Sequence, residues 1–271
     1  MKEIREKKVI DAVSSLCLKA NTEIRNDVQK ALEKAFTFEK ETQAKKALEE
    51  ILESIKISKR EKMPLCQDCG TVTVFLEIGD KVILRGNWEE AVNKGITKAY
   101  DSGYLRKSIV DDPLFERKNT ETNTPAQIYY SYIKGNKVKI DVIVKGAGSE
   151  NVSFLRMLNP SDGVSGAKEI IIKEVIKRAP FSCPPIVLGI GIGGTFDGAA
   201  VLSKKALLKS INDINEDKKL ALMEKELMAE INNMGLGAAG LKGKTVLLGV
   251  NILTKATHMA SLPVAISINC W

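Results

Sequence analysis

Histidine is almost missing from this chain: His258 is the single one in 271 residues. Aromatic residues make up only 5%, with two Trp, five Tyr and seven Phe, and they do not alternate with basic residues. A platform for stacking nucleic-acid bases has little to be built from. No apolar run reaches the length of a membrane span, and the opening Met1-Lys2-Glu3-Ile4-Arg5-Glu6 lacks the apolar core of a secretory leader. A cytoplasmic protein is expected, with no membrane and no nucleic-acid partner. Neither an internal repeat nor a low-complexity linker interrupts the sequence. What is present is ordinary for a globular fold with a real core: 44% hydrophobic and 28% charged residues. The net charge of +7 is mostly lysine along helical stretches. Such lysines form a solvated face, and their field also favours a small dianionic substrate.

Five cysteines remain to be explained, and in a cytoplasmic chain they are expected to be reduced, catalytic or metal-bound. Two fall in Pro64-Leu65-Cys66-Gln67-Asp68-Cys69-Gly70-Thr71, a loop-like stretch between a helical region and the first convincing strand. Cys183 lies in Phe181-Ser182-Cys183-Pro184-Pro185, and Cys270 in Ile268-Asn269-Cys270-Trp271. Soft thiolates gathered from distant loops suit zinc, copper(I) or iron–sulfur. Cys66-x-x-Cys69 alone also fits a redox pair, but that leaves Cys183 and Cys270 idle. A structural four-cysteine zinc site usually brings a second close pair, which this chain lacks. One close pair with two distant cysteines fits a cluster better. Cys17, between Leu16 and Leu18 in a helical stretch, reads as a buried structural thiol.

Along the chain, helical spacing of Ile4, Val9, Val13 and Leu16 predicts a first helix over 3–19. Thr22 reads as the N-cap of a second helix, and a third covers 39–59. Thr71 to Ile78 reads as a strand, and Asn87 as the cap of a helix stopped by Gly103. Arg106 to Pro125 has no periodicity and suggests a functional loop. Residues 127–133 and 137–144 flank Lys134-Gly135-Asn136 and read as a hairpin. The glycines of Gly146-Ala147-Gly148-Ser149-Glu150-Asn151 admit a close ligand approach or simply a tight turn. Helices over 163–178, to about 209, and over 217–233 alternate with strands over 185–190, 245–252 and 263–268. Gly189-Ile190-Gly191-Ile192-Gly193-Gly194 fits a dinucleotide fingerprint, but a second helix follows where the next strand should be. Glycines before a helix N-terminus still offer an anion-side or cluster-side position. The expected fold is α+β and α-rich: helices over 1–60, then a small mixed sheet surrounded by helices over 61–271, in one domain of 1–271.

Two more polar residues stand out. Arg106 is one of only eight arginines and is either a carboxylate clamp or a surface charge. His258, twelve residues before Cys270, is either a hydrogen-bonded structural group or a catalyst.

Taken together, the chain from roughly Glu3 to Cys270 resembles the α subunit, or N-terminal domain, of the class I iron–sulfur hydro-lyases, fumarate hydratase and L-tartrate dehydratase. The marks are Cys66-Gln67-Asp68-x-Gly70-Thr71, Arg106, Asn123-Thr124-Pro125, Gly146 to Asn151, Cys183-Pro184-Pro185 with the later Gly-Ile-Gly-Gly-Thr, and Asn269-Cys270-Trp271. The resemblance implies a [4Fe–4S] cluster on Cys66, Cys183 and Cys270. It implies substrate contacts from Gln67, Arg106 and Gly148, and catalytic roles for Asp68 and His258. Threonine usually stands in the family where this chain has Cys69, so Cys69 is not expected to be a ligand, and a local redox or fourth-ligand role stays open. The implied reaction is reversible dehydration of (S)-malate to fumarate, a step of the tricarboxylic acid cycle, with L-tartrate dehydration as the alternative. A thiol-redox or iron–sulfur storage protein is the alternative from another class. The implied partners are a small dicarboxylate and a separate β subunit that supplies the base for the carbon-bound proton, in a dimer of α–β pairs.

Overall fold

The computed structural model describes residues 1–271. The fold is α+β, as expected, and divides into two compact units: 1–24 with 54–147 (unit 1), and 25–53 with 148–271 (unit 2). No helix is long and apolar enough to cross a membrane.

Unit 1 is built on the central strand β2 (Thr71–Gly79). Its alternate residues Val72, Val74, Leu76 and Ile78 point to one face and are buried there with Val9, Val13 and Cys17 of α1 (Glu6–Thr22) and Val92, Ile96 and Tyr100 of α4 (Trp88–Ser102). A period of two on the strand meets periods of three and four on the helices, which is what joins a sheet face to two helices. Gly95 lets α1 and α4 close up: a Cβ there would sit 2.8 Å from the Ile10 carbonyl oxygen. Asn87 caps α4, its Oδ1 accepting from Glu89 N at 2.9 Å, and Gly103 ends the helix. A short parallel pair of β1 (Lys2–Arg5) and β3 (Val82–Arg85) completes the unit. The first helix therefore starts at Glu6, not at residue 3.

The expected hairpin is a correction. Its two strands exist as β4 (Gln127–Ile133) and β5 (Val138–Lys145), but they do not pair with each other. The order is β4-β2-β5, with β4 parallel and β5 antiparallel to β2. The strand with the most buried residues takes the centre, since there both edges are covered as well as a face. Thr22 is a second correction: it lies at the end of α1, where its hydroxyl donates to the Leu18 carbonyl at 2.9 Å.

Unit 2 contains α2 (Asn26–Phe38), the first part of α3 (Thr42–Glu61) and a four-stranded sheet. The sheet order is β6-β9-β7-β8, with β6 (Phe154–Leu158), β7 (Ile186–Gly193), β8 (Leu247–Lys255) and β9 (Leu262–Cys270). On β7, Ile186, Leu188 and Ile190 are buried with Ile171 and Val175 of α6 (Gly163–Arg178) and Leu227 and Ile231 of α8 (Lys218–Asn233). The alternate positions, Gly189 and Gly191, lie under α7 (Phe196–Ala206). A Cβ at Gly189 would stand 2.1 Å from the Ser203 carbonyl oxygen, and one at Gly191 2.2 Å from that of Ala199. These glycines are therefore strand residues that admit a helix against the sheet. The glycine run is a packing device and makes no dinucleotide loop.

Candidate functional site

The cysteine-rich stretch leaves α3 and enters β2 as a loop tied down at several points. Leu65 N donates to the Asn21 carbonyl at 2.8 Å. Tyr100, buried on α4, donates its hydroxyl to the Cys69 carbonyl and reaches that of Gly70 at 3.3 Å. Burial pushes the Tyr100 phenol well above its usual range, aided by the nearby Cys17 and Cys69. Asn123, 1% exposed, donates to the Gly70 carbonyl at 3.1 Å and accepts from Ser108 N at 2.7 Å. Gly70 itself has a φ of +62°, and a Cβ there would come within 2.4 Å of the Lys145 carbonyl, so only glycine fits.

Held this way, the loop sorts its side chains. Cys66 is exposed, with Asp68 N donating to its Sγ at 3.4 Å. Gln67 accepts from Arg106 Nη1 through Oε1 at 3.1 Å, a bond that does not use its amide NH2. Arg106 is anchored at its backbone, where its N–H donates to Cys69 Sγ at 3.2 Å. Asp68 is fixed through both carboxylate oxygens: Oδ1 accepts from Gly70 N at 3.0 Å and Oδ2 from Ala147 N at 2.7 Å. Gln67, Asp68 and Arg106 are thus brought together beside an exposed thiol.

Cys69 behaves differently. It is 2% exposed and belongs to the core of unit 1. Burial pushes its thiol up, opposed by the Arg106 N–H. Cys17 is deeper still, with its thiol pushed up to about 12 by burial, as expected of a structural cysteine.

In unit 2, Cys183 is exposed and left-handed (φ 54°) between a short 3₁₀ turn, Ala179–Ser182, and β7. Cys270 closes β9, where it faces Ile186 across the antiparallel pair, three residues after Cys183. The two thiols therefore share one end of the sheet. Gly148, in the five-residue helix α5 (Ala147–Asn151), adjoins the same turn: a Cβ on it would lie 3.7 Å from the Phe181 carbonyl oxygen.

His258 is at the other end. It sits in the exposed β8–β9 connection, its Nδ1 accepting from Ala260 N at 3.1 Å, while Thr257 donates to the Gly194 carbonyl at 2.8 Å. The nine-residue β9 separates it from Cys270. At about 3.3 Å per residue that is on the order of 25 Å.

All five cysteines are free thiols. In neither unit do three or more His, Cys, Asp or Glu side chains gather as a metal-holding group. The donor set nevertheless fits a thiophilic cluster in kind: Cys66 and Cys183 are exposed, Cys270 is half-buried, and two of the three share a sheet end. Sequence reasoning missed Tyr100, although a tyrosine on an apolar helix face announces a hydroxyl in need of a partner.

The sequence model of the family described as "Fumarate hydratase (Fumerase)" matches residues 10–271. A protein of Methanocaldococcus jannaschii named "Putative L(+)-tartrate dehydratase subunit alpha" is 41% identical over 271 residues, spanning 97% of this chain and 94% of its own length. The "L(+)-tartrate dehydratase subunit alpha" of Escherichia coli K12 is 30% identical over 210 residues, 77% of this chain and 69% of its own. The same name and figures hold for a relative from Shigella sonnei.

Proposed function

The chain belongs to the fumarate hydratase family and is a hydro-lyase, and from that premise we propose that it is the α component of a two-part enzyme that removes water from a small hydroxy-dicarboxylate. The observation carrying this reading is the pairing of Arg106 with Gln67 on the loop that also bears the exposed Cys66. A guanidinium forked toward a ligand, with an amide NH2 beside it, suits a carboxylate. The net charge of +7 favours the approach of a dianion.

In this reading Cys66, Cys183 and Cys270 hold a [4Fe–4S] cluster. When bound, such a cluster on three thiolates supplies an iron with an open position that acts as a Lewis acid toward a hydroxyl group. Arg106 and Gln67 bind and orient a substrate carboxylate, and Gly148 is assigned a further substrate contact. Asp68 cannot swing away, because two backbone N–H groups hold its carboxylate. The second lone pair on each oxygen can then take or hold a proton of the departing water. The relatives' names, each a subunit alpha, support a second subunit, and the base for the carbon-bound proton is assigned to it.

His258 needs a further step. Because β9 separates it from the Cys183–Cys270 end, it serves, in this reading, the site of a second α chain within a dimer of α–β pairs. Chains carrying His258→Gln and chains carrying Cys66→Ser should each be inactive, and co-assembled mixtures should regain part of the activity. No regain removes His258 from the shared site.

Two substrates deserve the test. (S)-Malate, giving fumarate, is supported by the family's description; L-tartrate, giving oxaloacetate, is supported by the names of the relatives. The two differ by one hydroxyl, which a single polar contact can discriminate. The α chain and its β partner, reconstituted anaerobically with iron and sulfide, should dehydrate one of them at least tenfold more efficiently. Turnover of neither refutes the proposal.

A further inference from the structure

Cys69 has no part in the reading above, yet it stands three residues from Cys66 in the same loop. The chain bends through Leu65–Gln67. The Cys69 thiol points at the Cys66 carbonyl oxygen, 3.7 Å away, and Asp68 N folds back onto Cys66 Sγ at 3.4 Å. Both sulfurs therefore lie around one short turn, unbridged. Their exposures are complementary: Cys66 is open to solvent and Cys69 is 2% exposed. No helix or strand fixes the backbone at either residue, so Cys66 can approach Cys69 without dismantling an element.

We propose that Cys66 and Cys69 form an oxidisable dithiol, in which a peroxide attacks the exposed Cys66 and Cys69 closes the disulfide. The electrons balance over two steps. The Cys66 sulfur displaces one oxygen of hydrogen peroxide, giving a sulfenic acid and one water. The Cys69 sulfur then attacks the Cys66 sulfur, the S–OH bond breaks, and the second water leaves. Two thiols are oxidised by two electrons, and one peroxide is reduced to two waters. The bridge holds Cys66 at a level that a dithiol reductant reverses, whereas a sulfenic acid without a neighbouring thiol can go on to sulfinic acid, which such reductants do not reverse. A further consequence rests on the proposed function: a bridged Cys66 is withheld from the cluster, so oxidation blocks reloading until the bridge is reduced.

The test uses the full wild-type chain, stripped of iron anaerobically, exposed to a small excess of hydrogen peroxide and capped with N-ethylmaleimide. Trypsin releases Met63–Lys81 with both cysteines in one peptide. That peptide should be uncapped and two hydrogens lighter, and should carry two maleimides if dithiothreitol precedes capping. After a larger peroxide excess, the wild type should still recover both thiols, while Cys69→Ser should keep a fraction of Cys66 as sulfinic acid. Two maleimides on Met63–Lys81 while Cys183 or Cys270 is oxidised, or a bridge from Cys66 to either of them, overturns the dithiol. Iron uptake separates the two ideas. A Cys66–Cys69 bridge with undiminished uptake supports the dithiol and removes Cys66 from the ligand set. No bridge overturns the dithiol and leaves that ligand set standing.

Discussion

Cys66 and Cys69 are the same amino acid three positions apart, and the structure gives them opposite surroundings. One faces solvent; the other is a core residue whose sulfur accepts a backbone N–H and whose carbonyl is held by a buried tyrosine. Serine at Cys66, Cys183 or Cys270 should therefore abolish stable cluster loading, because a hard hydroxyl is a poor substitute for a soft thiolate. Serine at Cys69 should leave iron and sulfide content near that of the wild type while lowering stability, since it puts a hydroxyl in place of a small buried hydrophobe. Iron and sulfide counts after anaerobic reconstitution check this. Equal cluster loss at Cys69 and Cys66 contradicts the three-ligand assignment. The chemical types were legible in the sequence, because thiols, an arginine and a carboxylate beside a glycine announce themselves. The burial of Cys69 was not, since nothing in Cys-x-x-Cys says which thiol faces the core. Nor was the distance of His258 from Cys270: twelve residues are short along the chain, and an extended strand makes them long in space.

At the scale of elements, local patterns named most helices and strands but not their neighbours. β4 and β5 read as a hairpin because a glycine lies between them, yet pairing was decided by β2, whose buried residues claim the middle of the sheet. The glycines of β7 show the same limit. A fingerprint and a packed strand look alike in sequence until the helix lying over them is seen. Alanine at Gly191 should therefore destabilise the fold by about 1–3 kcal/mol or more, because its Cβ meets backbone, which cannot rotate away. Urea unfolding midpoints measure it, and an unchanged midpoint contradicts the packing described.

Glu39 makes a second test at this scale. The residue is 4% exposed, between α2 and α3. Burial works against its charge, but backbone N–H groups of Glu41, Lys244, Lys40 and Thr245 outweigh it and hold the carboxyl below its usual range. A depressed carboxyl contributes stability above its unfolded value, near ~4.3, and loses it as the pH falls through the folded value. Glu39→Gln should thus be less stable than the wild type at neutral pH, and the two should converge in acid. Parallel urea curves from pH 7 down to about pH 3 check it; a gap that persists or widens in acid assigns the effect to something other than the charge.

As a whole molecule, in the proposed reading, this chain carries only part of a hydro-lyase site. Dehydration needs an activator for the departing hydroxyl, clamps for both carboxylates and a base for the carbon-bound proton. This chain offers three thiols for a cluster, one arginine clamp with its glutamine, and a fixed carboxylate. In the proposed reading the second clamp and the base come from a β partner, and the dry, preorganised surroundings that strengthen electrostatic stabilisation need it too. The most direct measurement is turnover of (S)-malate and of L-tartrate by the purified chain, its iron and sulfide content verified, first alone and then with the β partner added. The account predicts negligible turnover of both by the chain alone and rapid turnover of at least one with the partner present. Robust turnover by the cluster-loaded chain alone would contradict it.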